Sequence, residues 1–385
     1  MKIVHICLSG YIDGWGYQEN LLPTYQARAG HNVSVISSSN HYPSFLKKEE
    51  LKSIQAKGNV YEYDRVTICR IKTYVHIGSL VLFSPGLCRM LRKMRPDIIF
   101  HHDIAIPSLF KTVCYKWGHR KMKIVVDNHA DEINQTKKRW WYLLYYRIFI
   151  RLGLKLISPF ITKYYGVTPG RCDYLNKVFG VAQTQIELLP IGGDVDIVQS
   201  IQSDVNSLKK KYGIPIDGKV IVSGGKMGLD KGTNNLIEAF KNLKEEFPAL
   251  SLVLFGQFTD EVTQIMAETT NGIYTFGWCN RQTTMEILKL SNVACWPIHH
   301  TTLVEDALAC AVPLILRKTG NTSHSIERNG EFVMSGTVIE LQKSINAILF
   351  EGHYDDYKDN AIAMQNKHSY RKIAQKVVID CCMAE

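Results

Sequence analysis

Short apolar runs alternate with amphipathic stretches along the whole chain. The opening MKIVHICLSG predicts a buried strand that ends in a Gly-containing turn. A helical period follows over 16–29, and after Gly30-His31 a second apolar run, VSVIS (33–37), completes a βαβ opening. Further strands are expected at VTICRI (66–71), DIIFH (97–101), KIVVDNH (123–129) and YYGVT (164–168). The pattern then restarts. KVIVSGG (219–225) reads as a strand running into a Gly turn, and NNLIEAFKNLKEEF (234–247) as an amphipathic helix stopped by Pro248. SLVLFG (251–256), GIYTFG (272–277), VACWP (293–297) and PLILR (313–317) read as strands, with helices at 283–291 and 302–311 between them. Strands alternating with helices predict parallel sheets. The expectation is an α/β protein of two Rossmann-like domains facing each other across a cleft. The linker is expected near LLPIGGDVD (188–196), where Pro and paired Gly break the pattern. The domains then run 1–190 and 191–355, and two helices over 356–385 can cross back to the first.

Composition narrows the class. At 385 residues, 45% hydrophobic and 21% charged, the chain is globular, which excludes disorder, collagen and coiled coil. No secretory signal is expected, because the apolar run after Met1-Lys2 stops at Ser9-Gly10. The stretch 140–160 is the best membrane candidate, but Arg147, Arg151 and Lys155 within it argue against a span. The ten cysteines are scattered, apart from Cys381-Cys382, and form no CxxC, so reduced thiols of a cytosolic protein are expected. Charge is unevenly spread. Residues 1–185 hold 27 Lys and Arg against 12 Asp and Glu, a balance of +15; the remaining 19 and 24 leave −5. A basic half suits anionic lipid, nucleic acid or a phosphorylated substrate, and equally a solvated surface.

Several motifs fail. GYIDGWG (10–16) lacks GxGxxG spacing, and GLDKGT (228–233) has Lys before Gly, so it is not a P-loop. Asp194 and Asp196 offer two carboxylates in a loop, too little for a metal site. No nucleophile elbow and no nucleic-acid motif is present.

One motif holds. In GGKMGLDKGTNNLIEAF (224–240) a strand ends in Gly224-Gly225, Lys226 and Lys231 follow, and a helix begins. Glycines admit a phosphate to the backbone, the helix start offers N–H groups, and the lysines add charge. That combination predicts a diphosphate cradle. A second stretch, 137–155, places Arg139, Leu143, Arg147, Arg151 and Lys155 at steps of four, with aromatic and aliphatic residues around them, Trp140 and Trp141 included. Basic charge beside interfacial aromatics suits a membrane-surface helix.

The cradle, with LIEAF after it, resembles the G-R-L-x-x-x-K-G…LIEAF signature of retaining, GT-B-fold glycosyltransferases of family 4. Lys226 stands at the usual Arg, and Lys231 at the Lys. The likeness spans nearly the whole chain. GWGYQENLLPTYQARAGHNVSVIS (14–37), RPDIIFHH (95–102), VVDNHADE (125–132), LLPIGGD (188–194), FGWCNRQTTMEILKLSNVACWP (276–297) and VEDALACAVPLI (304–315) are similar to the family's motifs in the same order. The family carries Glu-x7-Glu in its second domain. Glu305 matches the second Glu, which binds the ribose, whereas Pro297 replaces the first. The short WPIHHTTLVE segment resembles a bacterial polysaccharide subset with P-G-x-H-S-x-L-x-E-Q, in which His300-Thr301 matches His-Ser.

The resemblance implies a glycosyltransferase of bacterial surface polysaccharide synthesis, of the O-antigen or capsule type. It implies a nucleotide diphosphate sugar as donor, UDP favoured, and retention at the anomeric carbon. It assigns donor binding to Gly14, Gly16, Gly224, Gly225, Lys226, Lys231, Trp278, Cys279, His300, Thr301 and Glu305. His129 matches the His that contacts the donor sugar; with Lys226 and Lys231 it makes the catalytic set. His101 and His102 are weaker candidates. Arg139, Trp140, Trp141, Arg147, Arg151 and Lys155 are assigned to the membrane and the lipid-linked glycan acceptor. No metal and no cofactor are expected, and no nucleic acid partner. The expected location is the cytoplasmic face of the plasma membrane, held peripherally. Two other readings stay open: a nucleotide-sugar 2-epimerase of the same fold, and a non-catalytic sugar-nucleotide or lipid-binding subunit.

Overall fold

The structure, a computed structural model, describes residues 1–8, 10–43, 46–77, 80–132, 139–268 and 271–383, with Arg139 described by its backbone alone. It divides into two units, Met1–Pro190 with Ile373–Glu385, and Ile191–Lys372. Among the described residues the first unit holds β1 (Lys2–Cys7), β2 (Asn32–Ser38), β3 (Val60–Tyr63), β4 (Val66–Ile71), β5 (Tyr74–Ile77), β6 (Leu80–Phe83), β7 (Ile98–His101), β8 (Lys123–Asn128), β9 (Lys163–Gly166) and β10 (Ile186–Leu188). One sheet runs β10-β9-β8-β7-β1-β2-β4-β3, parallel throughout except at β3 with β4; β5 and β6 pair separately. Ile3, Val4, Ile6, Ile98, Ile99, Phe100, Ile124, Val125 and Val126 are all buried, so the central strands are apolar on both faces. Parallel strands covered by helices on both sides require that. Strand order reverses between β1 and β7, and loops beyond their carboxyl ends are where such sheets hold ligands.

The second unit repeats the scheme with β11 (Val220–Met227), β12 (Ser251–Phe258), β13 (Ile273–Phe276), β14 (Val293–Trp296), β15 (Leu314–Arg317) and β16 (Gly330–Val333). The order is β13-β12-β11-β14-β15-β16, all parallel, with the reversal between β11 and β14. β11 follows β12 from Val220↔Ser251 to Met227↔Phe258, but meets β14 only at Ile221↔Val293 and Val222↔Ala294. Beyond those pairs side chains bridge the widening gap. The Ser223 hydroxyl donates to the Cys295 carbonyl at 2.7 Å, and the Trp296 indole N–H to the Gly224 carbonyl at 3.0 Å.

Of the terminal segment, the helix Tyr354–Lys367 lies in the second unit, while residues from Ile373 onward, on the helix Tyr370–Met383, belong to the first. There Lys376 bonds Glu187 on β10, Lys163 on β9 bonds the same carboxylate, and the Tyr165 hydroxyl donates to Asp380 at 2.7 Å. The helix thus closes one edge of the sheet. Among the described residues no disulfide forms; Cys69, Cys295, Cys310 and Cys381 are buried, whereas Cys114 and Cys382 are exposed.

Candidate active site

In the second unit three segments meet where β11 leaves β14. Gly225 has φ +109°, and the atoms nearest to a Cβ built on it are Leu303 Cδ1 at 3.5 Å and Thr301 Oγ1 at 4.0 Å. Bare backbone therefore faces the loop after β14. Lys226 follows, exposed. Lys231 is partly exposed and pairs with Asp230 at 3.2 Å. Gly232, at φ +73°, starts the 14-residue helix Thr233–Glu246 with no side-chain cap; a Cβ there would lie 2.9 Å from Ile298. Glycine thus lets the helix start sit against the β14 loop; the Thr233 N–H goes to the Gly228 carbonyl at 3.4 Å, and no side chain caps the helix N-terminus, which suits an anion. The Thr233 hydroxyl is buried without a partner.

The β14 loop brings His299, His300 and Thr301 to this place. Burial, with Lys231 beside it, lowers the pKa of His299. His300 Nε2 lies 2.9 Å from Glu305 Oε1. Burial alone would raise the Glu305 pKa, but the charge and hydrogen bond of His300 outweigh it and hold the carboxyl below its ordinary range. Its Oε2 is buried without a partner, an acceptor suited to a hydroxyl donor. Trp278 and Cys279 follow β13 at the same end of the sheet, two strands from β11; Trp278 is 81% exposed, and Cys279 Sγ contacts the Gly277 carbonyl at 3.4 Å. Asp194 caps the helix Val195–Ser200 and lies 3.9 Å from Arg281, and Asp196 pairs with Arg371 at 3.1 Å. Those bonds give this Asp pair structural work.

In the first unit the loop after β1 carries Gly14, at φ +78°, and Gly16 before the helix Gln18–Arg28. His129 follows β8, with Nε2 3.2 Å from Asp127 Oδ2. Burial opposes charge on this ring, but the Asp127 carboxylate outweighs it and raises the pKa to about 8. Asp127 is itself fully buried, and the same Oδ2 accepts from His102 Nδ1 at 2.8 Å. His102 Nε2 lies 3.0 Å from His5 Nδ1. His101 instead bonds Ser108 at 2.8 Å and the Asp103 carbonyl at 2.9 Å, buried in the core. Glu19, His102 and His129 bring ligand atoms within 4.8 Å of one another. Both His102 nitrogens are engaged, however, so giving one to a cation would break a buried hydrogen bond.

Comparison with known proteins assigns each unit. The model for "Glycosyltransferase Family 4" matches residues 22–197, and that for "Glycosyl transferases group 1" matches residues 204–364. The chain joins a family 4 glycosyltransferase domain to a group 1 glycosyl transferase domain. WcaI of Escherichia coli (strain K12), named as a colanic acid biosynthesis glycosyl transferase, is 24% identical over 67% of this chain and 66% of its own length. That share is just under two thirds of the relative. Among solved structures, Anabaena Alr3699/HepE in complex with UDP is similar with a TM-score of 0.69, 14% identity and 98% of each chain covered. A glycosyltransferase from Rickettsia africae is similar with a TM-score of 0.71, 14% identity, and 100% and 98% covered. At such identity these likenesses establish the fold, the GT-B pair of Rossmann-like domains.

The family 4 domain also carries the basic aromatic stretch. Arg139–Trp141 and Arg151–Ile157 are α-helical, but Tyr142–Ile150 between them is wound as a π-helix. Across this winding Leu143, Arg147, Arg151 and Lys155, four apart in sequence, are all exposed. Tyr145, Ile150, Leu154 and Ile157 face the core, while Trp140, Leu144, Ile148, Phe149, Leu152 and Leu156 are exposed among Arg147 and Lys155. Trp141 stacks on Tyr145 at 4.7 Å, and Arg151 donates to the Lys177 and Val178 carbonyls at 3.3 Å, tying down the helix Pro169–Lys177. The side chain of Arg139 lies outside the described residues. No helix of the described residues is long and apolar enough to cross a membrane.

Sequence reasoning missed Asp127, His5, Gln26 and Glu19 in the family 4 domain, and Arg281 in the group 1 domain. Arg281 grips buried Asp306 through both carboxylate oxygens at 2.7 Å, next to Glu305. For Asp127 a signal existed: alternation in VVDNH puts it on the same side of the strand as His129.

Proposed function

We propose that the protein is a retaining glycosyltransferase that moves a sugar from a UDP-sugar to a lipid-linked glycan acceptor in bacterial surface polysaccharide synthesis. The observation that carries this reading is the group 1 domain's cradle: bare Gly225 backbone and the start of Thr233–Glu246, free of any side-chain cap, both against the loop after β14, with Lys226 and Lys231 between them in sequence. That set suits a diphosphate. Glu305, with one buried oxygen still lacking a donor, suits the ribose hydroxyls, and exposed Trp278 offers a face to a base. The UDP bound by HepE, on the same fold, supports the choice of donor. WcaI's name supports the polysaccharide class.

In this reading the lysines and helix start stabilise charge developing on the leaving diphosphate, a task that needs no metal where such cations stand ready. Retention then follows a front-face displacement, with His129 holding a sugar hydroxyl. The exposed apolar and basic face of 139–157, with the +15 balance of residues 1–185, supports peripheral docking on an anionic membrane at its cytoplasmic side. The test is incubation of purified protein with UDP-sugars and membrane extract. Donor-dependent release of UDP with label passing into lipid-linked glycan is expected. Epimerised donor as the sole product, or no binding of any nucleotide sugar, would overturn the reading.

A further inference from the structure

A chain of polar groups crosses the interior of the family 4 domain. Gln26 Oε1 lies 2.7 Å from His5 Nε2, His5 Nδ1 lies 3.0 Å from His102 Nε2, and His102 Nδ1 lies 2.8 Å from Asp127 Oδ2. His129 Nε2 reaches that same oxygen at 3.2 Å, and Asp127 Oδ1 accepts the Asp103 backbone N–H at 2.8 Å. Gln26, His5 and Asp127 are fully buried, His102 is 4% exposed, and the His129 side chain reaches the surface with 31% exposed. Such groups cost desolvation energy that apolar residues would not, so the chain needs a purpose beyond packing.

Its hydrogen count is constrained. Burial keeps His5 neutral by lowering its pKa to about 3, so it has one N–H to give. With the Gln26 oxygen accepting from His5 Nε2, His5 Nδ1 must accept from His102. Asp127 only accepts, so His102 then carries both protons. With the Gln26 amide reversed, His5 donates to His102, which needs only the proton it gives to Asp127. In either state both neighbouring rings direct an N–H at one Asp127 oxygen, and the carboxylate cannot turn away without orphaning the Asp103 N–H.

We propose that Gln26, His5, His102 and Asp127 form a positioning relay that fixes His129 edge-on and cationic, to hold an electron-rich oxygen of the sugar or phosphate during transfer. The relay rests on the glycosyltransferase reading for its use, but not for its titration. Charged groups around His129 include Glu19 on Gln18–Arg28, which favours its charge, and Arg171 on Pro169–Lys177, which opposes it and is itself paired with Asp131 at 3.2 Å. Asp103, its carboxyl raised by burial, and the His5–His102 pair complete the surroundings.

The experiment is histidine titration by NMR on isotope-labelled full-length protein, beside the pH profile of kcat. Wild-type His129 should titrate near 8; a midpoint at or below the ordinary 6.5 overturns the relay without any variant. In Asp127→Asn the midpoint should fall by more than one unit, and Asp127→Glu should restore part of it. The basic limb of kcat should move with the midpoint, with KM for donor little changed. A midpoint that stays put in Asp127→Asn, or a kcat limb that ignores it, overturns the proposal. Failure of the functional reading looks different: a wild-type His129 titrating near 8 in a protein that turns over no nucleotide sugar.

Discussion

In the proposed reading, single side chains of the group 1 domain hold the donor. Lys226 is exposed and Lys231 shares its charge with Asp230, so both can swing onto an anion. A charge-assisted hydrogen bond of about 1.5–3 kcal/mol implies a loss of about 10–100-fold in donor affinity or turnover for each Lys→Ala change. Titration calorimetry with UDP-sugar on folded Lys231→Ala measures this; an unchanged affinity removes Lys231 from the diphosphate. Glu305 makes a second, opposite-looking case. Glu305→Gln should weaken UDP binding while leaving the fold intact. His300→Ala should instead destabilise by about 1–3 kcal/mol at pH 7, because it leaves a buried carboxylate oxygen without a donor. The sign with pH follows from the lowered Glu305 pKa: its contribution is present above the ordinary 4.5 and lost as pH falls through the folded value. The deficit of His300→Ala should therefore shrink on acidification, as chemical denaturation at several pH values can follow. His300 and Glu305 could both be singled out in the sequence, because motif spacing marks them. That one holds the other was not, since five residues of sequence do not say which way two side chains turn.

At the scale of elements, apolar runs marked the central strands well: VTICRI is β4 over Val66–Ile71, and SLVLFG opens β12. What escaped is short and half-exposed. β3 (VYEY), β5 (YVHI) and β10 (IEL) have no buried residue, and the apolar β6 (LVLF) is only four residues long with two of them buried. The helix over 139–157 was legible as basic and aromatic, but its winding was not, because a nine-residue run is too short for i→i+5 spacing to be told from i→i+4 in sequence. The hydrogen-bond partners of each exposed cation decide which can serve a membrane. Arg151 is held by the carbonyls of Lys177 and Val178, so Arg151→Glu should mainly destabilise the domain. Arg147→Glu with Lys155→Glu should leave stability unchanged and abolish salt-sensitive binding to anionic liposomes, since each surface cation contributes about 1 kcal/mol. Sedimentation with phosphatidylglycerol and phosphatidylcholine vesicles reads the outcome. Equal binding to both lipids by wild type and the double variant would rule out electrostatic docking.

Across the whole molecule the chain crosses between units twice, once after Pro190 and again before Ile373. The first crossing shows in sequence, because Pro190 and Gly192-Gly193 interrupt the pattern. The second falls within one continuous helix, Tyr370–Met383, where no break in periodicity exists to mark it. That return has a consequence for stability. Residues 373–383 supply Lys376 to Glu187 and Asp380 to the buried Tyr165 hydroxyl, all within the first unit. Ending the chain at Lys372 would strip the Tyr165 hydroxyl of its acceptor and uncover the apolar residues under Val377 and Cys381, both buried. Two-unit proteins need not unfold in one step, so calorimetry can assign the damage. The truncated protein should lose stability in the transition of the family 4 domain, while added UDP still raises the other. Ligand at about 100 times its Kd should contribute about 2.7 kcal/mol to that second transition in full-length and truncated protein alike. Should the truncation instead abolish the UDP effect, the terminal helix would be part of the donor site's support, and the division of labour between the two domains argued here would be wrong.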